Sequence, residues 1–163
     1  MTPETLLRNA IEPALRLLPP ALDSAPARAM MIAIALQESR AKYRAQIGGP
    51  ARGYWQFEMY GGVRGVLDHS ASQEHIRFVL AALDYSPDAK EPACYIAIEH
   101  NDILAAAFAR LLLWTLPQSL PARTEPASGW AQYILAWRPG KPHRQTWNEC
   151  YAVAWDTVEG KDV

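Results

Sequence analysis

The sequence predicts an all-α fold, a helical domain built around one strongly apolar helix. Apolar residues recur at helical spacing along most of the chain, and no run alternates apolar and polar residues for long enough to make a convincing strand. Size agrees: 163 residues, 50% hydrophobic and 20% charged, suffice for one compact domain with its own core. Residues 1–163 are therefore read as a single domain.

The helices follow in order. The first is predicted over Pro3 to Leu18, with Pro3 in its first turn, Pro13 kinking it and Pro19-Pro20 ending it. Ser24 caps the second, which has Pro26 in its first turn and runs through Met30, Ile34 and Leu36 to about Arg40. From Ala41 to Arg52 the pattern breaks, and Gly48-Gly49-Pro50 and Gly53 suit an irregular, exposed loop. Shorter helical pieces are expected over Gln56 to Asp68, Ser72 to Leu83 and Pro92 to Ile98. Asn101 or Asp102 then caps the helix Ile103 to Thr115, which is apolar on more than one face and carries Arg110 as its only charge. It belongs in the centre of the domain. After a proline-rich loop from Leu116 to Ala127, Ser128 is predicted to cap a helix through Trp130, Tyr133 and Trp137, stopped by Pro139-Gly140. The last helix, Arg144 to Val158, spaces Trp147, Tyr151 and Ala154 for packing back on the core.

Charge and composition narrow the function. Sixteen Lys and Arg against seventeen Asp and Glu leave a formal charge of -1, so no global basic field draws the chain to nucleic acid or anionic lipid. Arg138, Lys141, His143 and Arg144 form the one local basic cluster, a solvated loop or a contact for anionic wall polymer. Two cysteines, Cys94 and Cys150, are too few for a disulfide scaffold or a Cys-built zinc site; free thiols are the default, with one bridge left open. The four histidines, His69, His75, His100 and His143, show no His-Glu-x-x-His spacing, so no metal is predicted. No phosphate loop, dinucleotide fingerprint or nucleophile setting is recognisable. The start, Met1-Thr2-Pro3-Glu4-Thr5-Leu6-Leu7-Arg8-Asn9, lacks the basic head and apolar run of a secretory signal. The longest clean apolar run, Ala29 to Leu36, is far short of the roughly 18 to 20 residues that span a bilayer. The expectation is a protein that is cytoplasmic when made and does not insert into membrane.

The chemistry concentrates at Glu38. It ends a buried helix immediately before a glycine-rich loop, where partial desolvation and the negative end of the helix dipole both disfavour its ionisation. A carboxyl that keeps its proton in a cleft is what glycosidic cleavage requires, since the leaving oxygen must be protonated as the bond breaks. The competing reading is a solvated glutamate at a helix end. Downstream, Gly53-Tyr54-Trp55-Gln56-Phe57 offers a close backbone approach, aromatic faces for sugar rings and an amide that donates and accepts. Those aromatics can equally serve as a staple packing the loop onto the core.

In that order, Glu38-Ser39, a loop and Gly53-Tyr54-Trp55-Gln56-Phe57 resemble the Glu-Ser and Gly-Leu-Met-Gln motifs of soluble lytic transglycosylases and goose-type lysozymes. These are peptidoglycan-cleaving members of the lysozyme-like superfamily. Their third motif, Ala-Tyr-Asn-x-Gly, is similar to Ala136-Trp137-Arg138-Pro139-Gly140, with Trp137 in place of the tyrosine and Arg138 in place of the asparagine. The resemblance runs from Glu38 to Gly140 and leaves out the first and last helices. Trp137 to Pro142, followed by Trp147 and Tyr151, also resembles lysozyme-like proteins of bacteriophages and prophages.

The resemblance implies a lysozyme-like fold and cleavage of the β-1,4 bond between N-acetylmuramic acid and N-acetylglucosamine, with Glu38 as general acid and no cofactor. Ser39, Tyr54, Gln56, Tyr133 and Trp137 are its expected substrate-side residues. Peptidoglycan strands are the expected partner, joined by virion components in a phage setting, and the wall would be reached through a holin or as part of a virion. In the transglycosylase route Glu38 next acts as base on the muramic acid's C6 hydroxyl, giving a 1,6-anhydro end. An inverting hydrolase instead needs a second carboxylate roughly 6.5 to 9.5 Å away, and Glu58, Asp68, Glu99 and Asp102 are the candidates. A reading from another class is a non-catalytic module that binds glycan or a protein partner, with Glu38 structural.

Overall fold

The computed structural model describes residues 1–160. The fold is all-α: no strand occurs among the described residues, only isolated bridges pairing Ala45 with Arg52 and Arg52 with Phe57. No helix of the described residues is long and apolar enough to cross a membrane.

The first helical stretch comprises α1 (Pro3–Leu6), a wide π turn (Leu7–Ile11) and α2 (Glu12–Arg16). The expected kink at Pro13 takes the form of that wide turn, in which the Glu12 N–H donates to the Leu7 carbonyl. The ring that would clash with the preceding turn is thereby accommodated. Helix α3 (Ala25–Ser39) starts as predicted: Ser24 Oγ accepts from the Ala27 N–H at 3.2 Å, and Arg40, in the left-handed region at φ 54°, closes its end. Every residue from Ala29 to Ala35 is buried.

The expected helix from Gln56 begins later, with a π turn (Met59–Val63) leading into α4 (Arg64–Asp68). The reason is local. Arg52 and Phe57 exchange both backbone hydrogen bonds, at 2.9 and 2.7 Å, which folds residues 53–56 into a closed turn with Gln56 left-handed at φ 53°. Then come α5 (Gln73–Ala82), α6 (Glu91–His100), α7 (Asp102–Trp114), α8 (Pro126–Trp137) and α9 (Arg144–Glu159). Asn101 caps α7, its Oδ1 accepting from the Ile103 and Leu104 N–H groups at 3.1 Å. Ser128 is not the cap of α8. Glu125 holds that position, and Pro126, pre-set for helix at φ near -65°, opens the helix three residues earlier than expected.

Helix α7 is buried from Leu104 to Leu113 and touches α2 through α6 as well as α8, so the apolar helix is central as its sequence requires. The most extensive packing in the molecule is α3 against α9. That pairing fixes the C-terminal end of α3, where Glu38 sits.

Candidate functional site

Glu38 is half-buried at the last turn of α3, not in open solvent. Its neighbours anchor that turn. Ser39 Oγ donates to the Tyr54 carbonyl at 2.7 Å and to the Ala35 carbonyl at 3.2 Å. Gln37 ties α3 to the start of α9, donating to the His143 carbonyl at 2.9 Å and accepting from Thr146 Oγ1 at 3.0 Å.

The partner of Glu38 comes from α8. Tyr133 Oη donates to Glu38 Oε1 at 2.5 Å. Gly129, one turn before Tyr133, makes this approach possible. A Cβ there would lie 2.9 Å from Tyr151, 3.2 Å from Trp147 and 3.3 Å from Met30 Sδ, so only glycine lets α8 come so close to α3 and α9. The Tyr133 ring stacks on Trp147 at 5.4 Å and 6° and meets Trp130 at 5.4 Å. Its hydroxyl therefore has little rotational freedom to lose when it holds the carboxyl.

One turn further along α8, Trp137 Nε1 donates to the Trp55 carbonyl at 2.8 Å, and its ring lies 5.8 Å from Phe57. The turn at Gly53 to Phe57 is thus clamped from two sides, by Ser39 and by Trp137. The first and third sequence motifs converge on the second.

The electrostatics favour a protonated carboxyl. Burial raises the pKa of Glu38 from the ordinary 4.5 to about 7; the Tyr133 hydroxyl opposes this and the negative charge of Glu58 adds to it. Tyr133 is held far above its ordinary range, first by burial and then by Glu38, so it remains a hydrogen-bond donor at any working pH.

Of the five expected substrate-side residues, Tyr133 contacts Glu38, Ser39 follows it in the chain, and Tyr54, Gln56 and Trp137 belong to or hold the neighbouring turn. Ser39 is buried and its hydroxyl is spent on two carbonyls, so it is a loop anchor rather than a ligand for substrate. Tyr54 is buried as well, its ring beneath the Arg44 guanidinium at 4.7 Å. Trp55 and Phe57 are core residues; Trp55 Nε1 donates to the Met31 carbonyl at 2.8 Å. The aromatic run is therefore the staple, not a sugar platform. Tyr133 positions Glu38, and Trp137 positions the turn. Gln56 and Trp137 are half-exposed, and Gln56 Nε2 donates to the Gly53 carbonyl at 2.9 Å.

The four candidate second carboxylates separate clearly. Asp102 is held bidentately by Arg44 at 2.9 and 2.7 Å, and Glu99 pairs with Arg52 at 3.0 Å. Asp68 is exposed at the end of α4. Only Glu58 acts on Glu38 through its charge. Glu58 is exposed and lines a groove of about 430 Å³ with Pro50, Met59, Tyr60, Gly61 and Tyr95. The Tyr60 ring in this groove is backed by Arg64 at 4.4 Å. Cys94 and Cys150 are both free thiols. Among the described residues no three His, Cys, Asp or Glu side chains gather closely enough to hold a metal.

Sequence reasoning missed three contributors: Gly129, Trp147 as the plate behind Tyr133, and the Arg44–Asp102 pair that braces the loop. Only the pairing of a small residue with an aromatic four positions later, Gly129 and Tyr133, was a readable signal. No family model, no curated protein and no solved structure matches this chain.

Proposed function

We propose that the protein is a peptidoglycan-cleaving enzyme that breaks the β-1,4 bond between N-acetylmuramic acid and N-acetylglucosamine. Glu38 is its general acid. The observation that carries the reading is the half-buried Glu38 carboxyl, kept at about 7 and oriented by Tyr133 beside the Gly53 to Phe57 turn. A free carboxyl near 4.5 would be almost wholly ionised at neutral pH, whereas this one keeps its proton in about half the molecules at pH 7. It gives that proton to the leaving glycosidic oxygen as the bond breaks. The phenol of Tyr133 then stabilises the carboxylate that remains.

The positive charge developing at the sugar's C1 is quenched by one of two nucleophiles. In the transglycosylase route the Glu38 carboxylate takes the proton of the substrate's own C6 hydroxyl, which closes on C1. In the hydrolytic route a second carboxylate activates water. Glu58, exposed, lining the groove and coupled by charge to Glu38, supports the hydrolytic route. The lysozyme-like fold and the phage setting belong to the same proposal and rest on the motif resemblance.

Clearing of purified cell walls tests the reading. The wild type is expected to clear them, and Glu38→Gln to lose nearly all activity while staying folded, with a melting temperature at neutral pH no lower than that of the wild type. Equal clearing by both proteins would refute the role of Glu38. An inactive wild type on several wall chemotypes would return the module reading. Mass spectrometry of released fragments separates the routes, because a 1,6-anhydro end lacks one water; loss of hydrolysed ends in Glu58→Gln is the expected signature of the hydrolytic one.

A further inference from the structure

At the opposite end of α3, on the order of 20 Å from Glu38 at the helical rise of about 1.5 Å per residue, lies a second groove of about 520 Å³. Arg110 is the only charged side chain lining it; Trp114, Leu113, Leu120 and Pro26 supply apolar wall. A volume of this order suits a small organic molecule.

Arg110 is only 3% exposed, on the most apolar helix of the protein. A buried guanidinium requires acceptors for its N–H groups and a counter-charge. It has little of either. Nε donates to the Leu22 carbonyl at 2.7 Å, but Nη1 is buried with no hydrogen-bond partner. The carboxylate whose charge reaches it is Asp23. Both Asp23 oxygens, however, are taken by Arg28, at 2.8 and 2.9 Å. Burial draws the Arg110 guanidinium down to about 10, which still leaves it charged at neutral pH. Trp114 faces the same guanidinium at 5.5 Å and is 39% exposed at the groove's rim.

A buried guanidinium with an unpartnered N–H and no carboxylate bonded to it, lining a groove with apolar walls, is half of a binding site. We propose that this groove binds a small monocarboxylate with an apolar body, the carboxylate on Arg110 and the hydrocarbon against Trp114, Leu113, Leu120 and Pro26. The planar guanidinium fork matches a carboxylate, and one cation matches one negative charge. A phosphate dianion would call for a second cation, which the lining lacks. The site is independent of the chemistry at Glu38.

Calorimetric titration of the full chain with phenylbutyrate tests it, with phenylbutanamide and phenyl phosphate as comparison ligands. The carboxylate is expected to bind saturably at one site, with the isosteric amide at least about ten-fold weaker, the range for a hydrogen bond to a charged group. Arg110→Gln is expected to erase that preference. Because Arg110 also holds the Leu22 carbonyl, Trp114→Ala provides a second variant at the exposed rim. It should weaken both the carboxylate and the amide by about five-fold with the melting temperature unchanged. Equal binding of carboxylate and amide, tighter binding of phenyl phosphate, affinity indifferent to Trp114→Ala, or no saturable heat would each overturn the proposal.

Discussion

Replacing Glu38 by glutamine should stabilise the protein at pH 8 and leave its stability almost unchanged at pH 4. The folded state holds the carboxyl proton more tightly than the unfolded chain does, about 7 against an ordinary 4.5. The contribution of the protonated carboxyl to stability is therefore fully present below 4.5 and is lost as pH rises through 7. At about 1.4 kcal/mol for each factor of ten in acidity, the ionised carboxylate costs the fold about 3 kcal/mol at pH 8. Glutamine has the same shape and never ionises, so it escapes this cost. Urea unfolding of both proteins at both pH values is the assay, and only the double difference matters, since every other titrating group cancels between the pair. With a urea slope of roughly 2 kcal/mol per molar for a chain of this size, the variant's midpoint should lead by about 1.5 M at pH 8, and that lead should close at pH 4. A double difference below about 0.5 kcal/mol would mean that Glu38 ionises without penalty. Glu38 would then hold no proton to give at neutral pH, whatever the activity assay shows.

Tyr133→Phe removes the one contact that favours the Glu38 carboxylate. The alkaline limb of the pH–rate profile should move upward by about one pH unit or more, the worth of a charge-assisted hydrogen bond, and a limb that stays put or moves down would refute the positioning role. Gly129→Ala places a methyl 2.9 Å from Tyr151 and 3.2 Å from Trp147, and should lower stability by about 1–3 kcal/mol in thermal unfolding despite alanine's better helix propensity. Ser39→Ala leaves the Tyr54 carbonyl without its donor and should cost about 1–3 kcal/mol, read by the same unfolding measurement.

The helices were legible where their signals are local. Ser24 with Pro26, Asn101 before an apolar run, and the helical spacing from Trp147 to Ala154 each specify an element by their own chemistry, and those elements stand where the sequence puts them. The turn at Gly53 to Phe57 was misread in part because its backbone is set by pairing. Arg52 closes on Phe57, which forces Gln56 into a left-handed conformation that no glutamine signals. Its aromatics read equally as sugar platform or staple, since burial, which decides between the two, is a property of packing. Ser128 lost the cap of α8 to a competing local signal two residues upstream, Pro126 after Glu125. Glu38 could be picked out by its place at the end of an apolar helix. The size of its perturbation could not, because it depends on Tyr133, which lies 95 positions away, and on the packing of α8.

Helix α8 does two jobs beside Glu38. Under the proposed reading Trp137 would take the place of the motif tyrosine, but the side chain that reaches Glu38 is Tyr133, one helical turn earlier on the same face of α8. Two duties are thus divided along one helix. The hydroxyl at 133 holds the carboxyl, and the indole N–H at 137 holds the Trp55 carbonyl and with it the neighbouring turn. Because both side chains project from α8, and Gly129 sets how closely α8 approaches α3 and α9, the geometry at Glu38 and the position of the turn are coupled through one rigid element. Gly129→Ala should then disturb both together: the alkaline limb set by Glu38 and the anchoring of Trp55 by Trp137 should change in the same variant. Trp137→Phe should release the turn and leave the limb in place. A Gly129→Ala protein with an unmoved limb would show that Tyr133 reaches Glu38 without the close approach of α8.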